Sequence, residues 1–293
     1  MKQGFFVGLV TLDLVYLTAG LPDKNQKIVA SDYAVSAGGP ATNAAVAFSY
    51  LNNRATVLGS IGVHPINSLI KADLESHHVT VLDLAPDRSE PPPTSSIIIT
   101  QATGDRAVIS INAVKSQVAA EKLPSLTPLS DSTRLEGVDI VLIDGHQIAV
   151  GEAIAQTASS KNIPVVLDGG SWKPGLEKIL PFVDYAICSA NYYPPGCHSS
   201  EEVFSYLSSM GIPYIAITRG EHPIQYIAAG KSGIIEIPKI KPVDTLGAGD
   251  IFHGAFCHYI LQATFIDALA AGAKIASQSC QFFGTRRWMT ERD

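Results

Sequence analysis

The chain has 293 residues, 46% of them hydrophobic and 16% charged, so it can bury one large core and is not intrinsically disordered. Its net charge of −6 gives no general attraction to nucleic acid or anionic lipid, which excludes both as expected partners. The 4 cysteines have no C-x-x-C spacing and fit a reducing compartment, so we predict a cytoplasmic protein.

The first predicted element is a strand over residues 5–10. The apolar run over residues 5–21 has the length of a signal peptide, but Asp13 interrupts it and a strand explains it better. No segment of the sequence is long enough to span a membrane. Asp13 comes just after the predicted strand, where it could initiate a turn or accept hydrogen bonds from two hydroxyl groups.

A glycine pair, Gly38-Gly39, opens the next predicted element, an alanine-rich helix that carries Asn43 in its first turn. Asn43 could hydrogen-bond the hydroxyl groups of a ligand, or it could simply cap this helix. The residues around the glycine pair leave both roles open.

Short β-branched runs alternate with helical patterns along most of the chain. This alternation predicts an α/β fold with a doubly wound, mostly parallel sheet flanked by helices. Ligands of such sheets gather at the carboxyl ends of the strands, where Asp144, Asp168, Asn191 and Thr218 should fall. The predicted strands after the first cover residues 55–61, 139–143, 164–167, 185–188 and 214–218.

Two segments, residues 27–36 and 94–112, break this alternation. The second has a turn at Thr103-Gly104-Asp105 between runs of alternating polarity, which predicts a hairpin. We expect these segments to form a small separate sheet. The run Pro91-Pro92-Pro93 before the hairpin suits a stiff hinge.

The motifs of several nucleotide-binding, hydrolase and metal-binding proteins are incomplete or absent in this sequence. Gly230-Lys231-Ser232 resembles the end of a phosphate-binding P-loop, but Gln225 stands where the earlier glycine is required, so we predict a hairpin turn. The sequence has no dinucleotide-binding G-x-G-x-x-G after the first strand and no G-x-S-x-G of a hydrolase. Its histidines show no metal-ligand spacing, so no protein metal site is predicted.

The segment from Asp244 to Asp250, with the sequence DTLGAGD, stands directly before a helical run. Gly247, Ala248 and Gly249 should therefore begin a helix, where unpaired N–H groups and the helix dipole attract an anion. A carboxylate beside an anion would repel it, unless it takes a proton from a hydroxyl that attacks a phosphoryl group. Asp250 is thus either the base of a phosphate-transfer site or an ordinary first-turn acid. One more helix is predicted over residues 265–283, ending at Gly284.

With both glycine motifs present in this order, the chain resembles the ribokinase-like, or PfkB, family of carbohydrate and nucleoside kinases. The family signatures are Gly-Gly-x-x-x-Asn-x-Ala near the N-terminus and Asp-Thr-x-Gly-Ala-Gly-Asp near the C-terminus, and both occur here. The resemblance implies a single kinase domain over residues 1–293. It also implies a sheet-like lid at about 13–36 and 88–113, which covers the sugar and joins two subunits into a homodimer.

The family signatures imply a role for each matching residue. Asp250 would be the catalytic base, and the N–H groups of Gly247, Ala248 and Gly249 would bind the γ-phosphoryl group. The sugar would contact Asp13, Gly39 and Asn43, and the nucleotide would lie against Thr218, Gly220 and Asn191. ATP and Mg²⁺ are the implied cofactors, and many relatives hold a potassium-type ion near Asp244 and Thr245, so K⁺ is a further expectation.

The chain departs from the family at the common Asn-x-x-Glu segment, which organises Mg²⁺ and phosphate. Here it reads Asn191-Tyr192-Tyr193-Pro194, with proline in place of glutamate. Glu201 or Glu202 could substitute through space, or could occupy the solvated first turn of a helix that begins near Ser199. Arg219 could face phosphates or solvent. Arg106, in a Gly-x-Arg sequence seen in many family lids, is assigned no catalytic role.

The substrate is expected to be a small sugar, with a ketose or other furanose favoured. The segments after Asp144 and Asp168 are similar to those of ketohexokinase-like sugar kinases. A nucleoside kinase of the adenosine type is the alternative, but it needs aromatic residues to stack a base, and residues 27–36 and 94–112 contain only Tyr33. The altered Asn-x-x-Glu segment also allows a sugar or nucleotide sensor that has lost turnover.

Overall fold

The computed structural model describes residues 1–111, 113–118 and 135–290. Residue 112 of the predicted hairpin segment, and residues 119–134 and 291–293 of the predicted domain, lie outside the described residues. Within the described part the chain forms a nine-stranded and a four-stranded sheet. In chain order the strands are β1 (Gln3–Val7), β2 (Thr11–Thr18), β3 (Asp32–Gly38), β4 (Arg54–Gly59), β5 (Val79–Asp83), β6 (Thr94–Thr100), β7 (Arg106–Ser110), β8 (Ile140–Ile143), β9 (Val165–Gly169), β10 (Tyr185–Ser189), β11 (Tyr214–Arg219), β12 (His222–Ala228) and β13 (Lys231–Ile235).

The large sheet has the order β13-β12-β11-β10-β9-β8-β1-β4-β5. Its strands pair in parallel except at the edge, where β12 is antiparallel to both β11 and β13. This confirms the mostly parallel sheet, and the hairpin around Gly230 is present as predicted. The α-helices are α1 (Pro40–Tyr50), α2 (Asn67–Ser76), α3 (Ile148–Ser160), α4 (Ser200–Ser209), α5 (Ala248–Ile260) and α6 (Phe265–Ser279).

Helices cover both faces of the large sheet, because successive residues of its buried strands point in opposite directions. On β1, Phe5 and Val7 belong to a core cluster with residues of α3 and α4. Phe6, between them, belongs to a second cluster with residues of α1, α2, α5 and α6. The central strands of the large sheet are therefore apolar at nearly every position, because each of their two faces packs against a core.

The small sheet has the order β3-β2-β6-β7 and confirms the separate sheet. The predicted hairpin is present: Gly104 has φ 72°, and β6 and β7 pair antiparallel. Sequence reasoning placed one strand over residues 5–10 with Asp13 just after it, and this was wrong. The chain leaves the large sheet at Gly8, where a Cβ would lie 2.1 Å from the Asp144 carboxylate, and Asp13 lies inside β2 of the small sheet.

The last predicted helix is shorter than expected. α6 ends at Ser279 rather than at residue 283. The carbonyl of Cys280 accepts hydrogen bonds from the N–H groups of Val243 and Asp244, at 2.8 and 3.2 Å, and so serves a loop instead of a further helical turn. None of the helices described by the structure combines the length and the apolar character needed to cross a membrane.

Candidate active site

The start of α5 forms one wall of the candidate site. Gly247 precedes the helix with φ 69°, a left-handed conformation that favours glycine. A Cβ on Gly247 would lie 2.8 Å from Thr285 Cγ2 and 3.5 Å from Asn43 Nδ2. Ala248 N donates a long 3.4 Å hydrogen bond to Thr245 O, and the first-turn N–H groups have no acceptor within the helix. The predicted anion site therefore has the geometry of an open helix N-terminus.

Asp244 holds the loop before α5 in place. Its Oδ1 accepts from Leu246 N and its Oδ2 from Gly284 N, both at 2.8 Å. Burial raises the pKa of Asp244, which these two hydrogen bonds partly offset. Both carboxylate oxygens thus bind backbone, and the K⁺ expected near this residue stays a prediction.

Asp250 lies in the first turn of α5, and its carboxylate contacts Asn43 of α1. Asn43 Nδ2 donates a 2.8 Å hydrogen bond to Asp250 Oδ2. Burial and the nearby charge of Asp168 raise the pKa of Asp250 to about 7, against smaller lowering effects of Asn43 and His253. A carboxyl group with a pKa near neutrality is well suited to accept a proton from a hydroxyl group. The side chain of Asn43 therefore reaches across to α5 rather than capping its own helix.

Asp13 lies on β2 of the small sheet. It is buried, and its Oδ1 accepts a 2.9 Å hydrogen bond from Thr11 Oγ1. Burial raises its pKa, while Thr11, Ser95 and the charge of Arg286 lower it. The charge of Asp13 also raises the pKa of Asp250 slightly.

Two glycines before α1 allow the backbone to pass close to Asp13. A Cβ on Gly38 would lie 2.1 Å from Asp13 Oδ2. Gly39 has φ 101°, and a Cβ there would lie 2.3 Å from Leu9 O. The structure thus gathers the predicted sugar contacts Asp13, Gly39 and Asn43 beside Asp250.

Asp144 is buried, and its carboxylate accepts hydrogen bonds from backbone N–H groups near the ends of β1 and β8 and at the start of α1. It follows β8, and its carboxylate accepts from Leu9 N and His146 N at 2.8 Å and from Ala41 N at 3.2 Å. The last of these N–H groups lies in the first turn of α1. Asp144 therefore fixes α1 against β1 and β8, which fixes the position of Asn43.

Asp168, at the end of β9, lies beneath α5 with His253. His253 Nδ1 is 3.5 Å from Asp168 Oδ2, and the two His253 ring nitrogens lie 2.7 Å from Gly249 O and 3.2 Å from Ile187 O. Burial raises the pKa of Asp168, and the His253 ring opposes this. Sequence reasoning placed Asp168 at the strand end but did not find His253, since a single histidine inside an apolar helix carries no motif.

The predicted nucleotide contacts lie at the carboxyl ends of β10 and β11. These ends are joined by a 2.9 Å hydrogen bond from Ala190 N to Thr218 O, which brings Asn191 next to Thr218. Gly220 has φ 60° and open space around its Cβ position. Arg219 donates from both Nε and Nη2 to Pro223 O, at 3.1 and 3.0 Å, and so fixes the β11–β12 turn.

A model of the pfkB family carbohydrate kinases matches residues 1–292. The chain belongs to this family. It is therefore a carbohydrate kinase, a phosphotransferase with the ribokinase-like fold, as the two glycine motifs predicted.

The kinase is similar to the ribokinase of Bacillus subtilis, with 25% identity over 301 residues that cover 100% of this chain and 98% of that protein. It is also similar to the ketohexokinase of Mus musculus, with 22% identity over 298 residues that cover 97% of both proteins. Its fold is similar to that of Arabidopsis thaliana ribokinase complexed with ribose and ATP, with a TM-score of 0.73 and 19% identity over 99% of each chain.

Residues 191–194 of this carbohydrate kinase, where the family pattern has Asn-x-x-Glu, place no carboxylate at the fourth position. Pro194 is buried, and Tyr192 packs edge-to-face on Trp172 with ring centroids 5.7 Å apart. Glu202 caps α4 in a reciprocal pair with Ser199, so it serves the helix start and not the cleft. Among the described residues, no group of three or more His, Cys, Asp or Glu is arranged to hold a metal ion.

Two arginines of this kinase contact the site in ways that sequence reasoning missed. Arg106, at the start of β7, donates from Nη1 to Thr245 O at 3.0 Å, so the hairpin turn of the small sheet touches the loop before α5. Arg286, after α6, donates from Nη1 to Asn43 Oδ1 at 2.9 Å. The Gly-x-Arg sequence was a signal for the first, whereas no motif marks the second.

Proposed function

We propose that this kinase transfers the γ-phosphoryl group of ATP to a hydroxyl group of a small sugar, with a ketose or other furanose favoured, and that Asp250 is the base. The observation that carries the proposal is the 2.8 Å hydrogen bond between Asn43 and Asp250 at the N-terminus of α5. It joins a residue of the sugar motif to a carboxylate beside an anion site. The similarity to a ribokinase and a ketohexokinase supports a sugar substrate.

In the proposed step, the sugar hydroxyl oxygen bonds to the γ-phosphorus as the bond from that phosphorus to the bridging oxygen of ADP breaks. The hydroxyl proton passes to Asp250. Because the pKa of Asp250 is about 7, the carboxylate is partly ionised at neutral pH and basic enough to take this proton. A buried carboxylate of ordinary pKa would be a weaker base.

The N–H groups of Gly247, Ala248 and Gly249 are proposed to hold the transferred phosphoryl group. They belong to the loop and first turn of α5, where the helix dipole favours negative charge. Such donors are fixed before the reaction and cost no rearrangement during it, and losing one typically lowers turnover ~10²–10³-fold.

Asp13, Gly39 and Asn43 are proposed to bind the sugar hydroxyls, and Thr218, Gly220 and Asn191 the nucleotide. Asp168 is proposed as the protein ligand of Mg²⁺, since its Oδ2 is buried and has no hydrogen-bond partner among the described residues, with His253 Nδ1 3.5 Å away. Mg²⁺ keeps several waters and needs only one or two carboxylates, and when bound it would offset charge on the phosphates. K⁺ beside Asp244 and Thr245 is proposed as a further cation.

The small sheet is proposed to act as the lid over the sugar and as the contact of a homodimer. The face opposite to Asp13 carries exposed apolar side chains on neighbouring strands: Tyr16, Tyr33, Val35 and Ile109. An apolar face of this kind suits a second copy of the chain. Sedimentation should show a dimer, and Ile109→Asp should shift it to monomer. We also propose a cytoplasmic location, where ATP is available to the enzyme.

No contact among the described residues favours a nucleoside kinase or a sensor over a sugar kinase. Tyr16 lies directly across from Tyr33 in the small sheet, on the face that points away from Asp13. These aromatic side chains are therefore not placed to stack a nucleoside base over the site. A sensor without turnover would not need a base with a pKa of about 7 beside its sugar motif.

The deciding experiment measures ADP release with Mg-ATP across ketoses, ribose, other sugars, phosphorylated sugars and nucleosides, beside Asp250→Asn. Sugar-dependent release that falls ~10²–10⁴-fold in the variant, with ATP binding retained by calorimetry, would support the proposal. Release only with nucleosides would favour the nucleoside kinase. ATP binding without release for any acceptor would favour the sensor.

A further inference from the structure

Arg286 connects the C-terminal segment to the glycine-led start of α1. Besides its contact with Asn43, its Nη2 donates to Ala37 O at 2.8 Å. Asp73 on α2 accepts from Nε and Nη2 of the same guanidinium, at 3.3 and 3.0 Å. Only 15% of the Arg286 side chain is exposed. Its guanidinium is therefore held in one orientation by an ion pair and a backbone carbonyl, independently of Asn43.

The two hydrogen-bond partners of Asn43, Arg286 and Asp250, determine the orientation of its side-chain amide. A guanidinium has only donors, so the atom that faces Arg286 has to be Oδ1. An ionised carboxylate only accepts, so the atom that faces Asp250 has to be Nδ2. If the amide turned over, each favourable contact would become a repulsive one.

We propose that Arg286 is a positioning residue for the catalytic base: it locks the amide of Asn43 so that Nδ2 faces the carboxylate of Asp250 before the sugar binds. Asp73 in turn anchors Arg286. Arg286 contacts no reacting atom in this scheme and acts only through Asn43. The kinetic consequence rests on the proposed function, in which Asp250 takes the hydroxyl proton.

The groups that face Asp250 come from four elements, β9, β2, α5 and α1. Asp168 at the end of β9 and Asp13 on β2 raise its pKa, whereas His253 on α5 and the hydrogen bond from Asn43 lower it. The charge of Arg286 acts on Asp13, whose pKa it lowers. Without Arg286 the Asn43 amide is free to turn, so Asp250 loses a fixed donor and its pKa rises further. The base then needs a higher pH to be ionised.

The test is a double-mutant cycle on Arg286 and Asn43, measured as the acid limb of the pH profile of kcat/KM, which reports the base of the free enzyme. Arg286→Ala should move this limb up by about one pH unit, because a hydrogen bond to a charged group changes a pKa on that scale. Asn43→Ala should move it by a similar amount, and the double variant no further than Asn43→Ala. Additive shifts would show that Arg286 acts through its charge, and would overturn the proposal.

Two further variants separate orientation from charge and from folding. Arg286→Lys keeps the charge but lacks the planar fork that reaches Asp73 and Asn43 together, so its limb should stay close to that of Arg286→Ala. A limb restored by lysine would contradict the proposal. Arg287→Ala is the matched control, since Arg287 pairs with Asp32 of β3 at 2.6 Å. It should lower thermal stability without moving the limb, and an equal shift would point to a purely structural effect.

A second measurement does not depend on turnover. The carboxyl carbon of Asp250 can be titrated by carbon-13 NMR and assigned by its absence in Asp250→Asn. Arg286→Ala should raise the midpoint of this carbon by about one pH unit. An unchanged midpoint would overturn the role of Arg286. If the wild-type protein released no ADP with any sugar, the proposed function would fail, while the NMR titration would still decide this inference.

Discussion

Asn43 Nδ2 lies 2.8 Å from Asp250 Oδ2, so a hydrogen bond joins two residues that are 207 positions apart. Each stands near the start of a glycine-led helix, Asn43 in α1 and Asp250 in α5. These helices pack closely because Gly254 of α5 has no side chain: a Cβ there would lie 2.2 Å from Ala44 O. The meeting of the two family motifs is thus a consequence of helix packing on one face of the sheet.

Gly254→Ala should therefore destabilise the protein and disturb the site together. The added methyl group has to push α5 away from α1, which we expect to cost ~1–3 kcal/mol of unfolding free energy. Urea denaturation would measure this, and kcat should fall as Asn43 and Asp250 separate. Gly151→Ala on α3 is the control, since its Cβ would meet only side-chain atoms, Ile143 Cγ2 at 3.0 Å and Ile179 Cδ1 at 3.1 Å, and no backbone atom. Equal losses in both variants would contradict the special role of the α1–α5 contact.

The pH dependence of the kinase should follow the ionisation of Asp250. Because the base works only when deprotonated, kcat/KM should rise with pH through about 7, far above the ordinary value of 3.8. Asp168→Asn removes a negative charge that raises this pKa, so the acid limb should move to lower pH even if kcat also falls. An acid limb near 3.8 in the wild-type enzyme, or an upward shift in the variant, would be inconsistent with Asp250 as the base.

Most of the fold could be predicted from the sequence because its signals are local. Alternating β-branched runs and two glycine motifs predict the large parallel sheet and the two helix starts. The boundary between β1 and β2 could not be predicted, because the apolar run continues through residues 8–10. The chain breaks there because of the close approach of Gly8 to Asp144, which is 136 positions away in the sequence. Local patterns cannot report such a contact.

The same limit applies to the site. Asp250, Gly247 and Asn43 stand in motifs and could be named in advance, whereas the partners that orient them are single residues in unmarked segments. Arg286 follows a helix whose predicted end was wrong by several residues, because the Cys280 carbonyl is occupied by a distant loop. The residues that orient the motif residues are thus brought to the site by tertiary contacts, which leave no periodic pattern in the sequence.

Gly38→Ala should weaken sugar binding more than nucleotide binding. Its Cβ would lie 2.1 Å from Asp13 Oδ2, so the carboxylate has to move away from its position on β2. We expect KM for the sugar to rise at least about tenfold, as for one lost charged hydrogen bond, with KM for ATP unchanged. Gly20→Ala is the matched control, because nothing lies within 4 Å of its Cβ position. Equal effects on both Michaelis constants would argue against Asp13 as a sugar ligand.

Glu202→Ala tests whether a nearby carboxylate replaces the family glutamate lost at Pro194. Glu202 Oε2 accepts from Ser199 N at 3.1 Å, and Ser199 Oγ accepts from Glu202 N at 3.2 Å, so its carboxylate is used by the start of α4. The variant should lose roughly 0.5–1 kcal/mol of stability, measured by thermal or urea unfolding. Its Mg²⁺ dependence should match that of the wild type and of Glu201→Ala, which removes a neighbouring first-turn acid outside the capping pair. A higher Mg²⁺ requirement in Glu202→Ala alone would mean that this side chain leaves its cap to serve the phosphates.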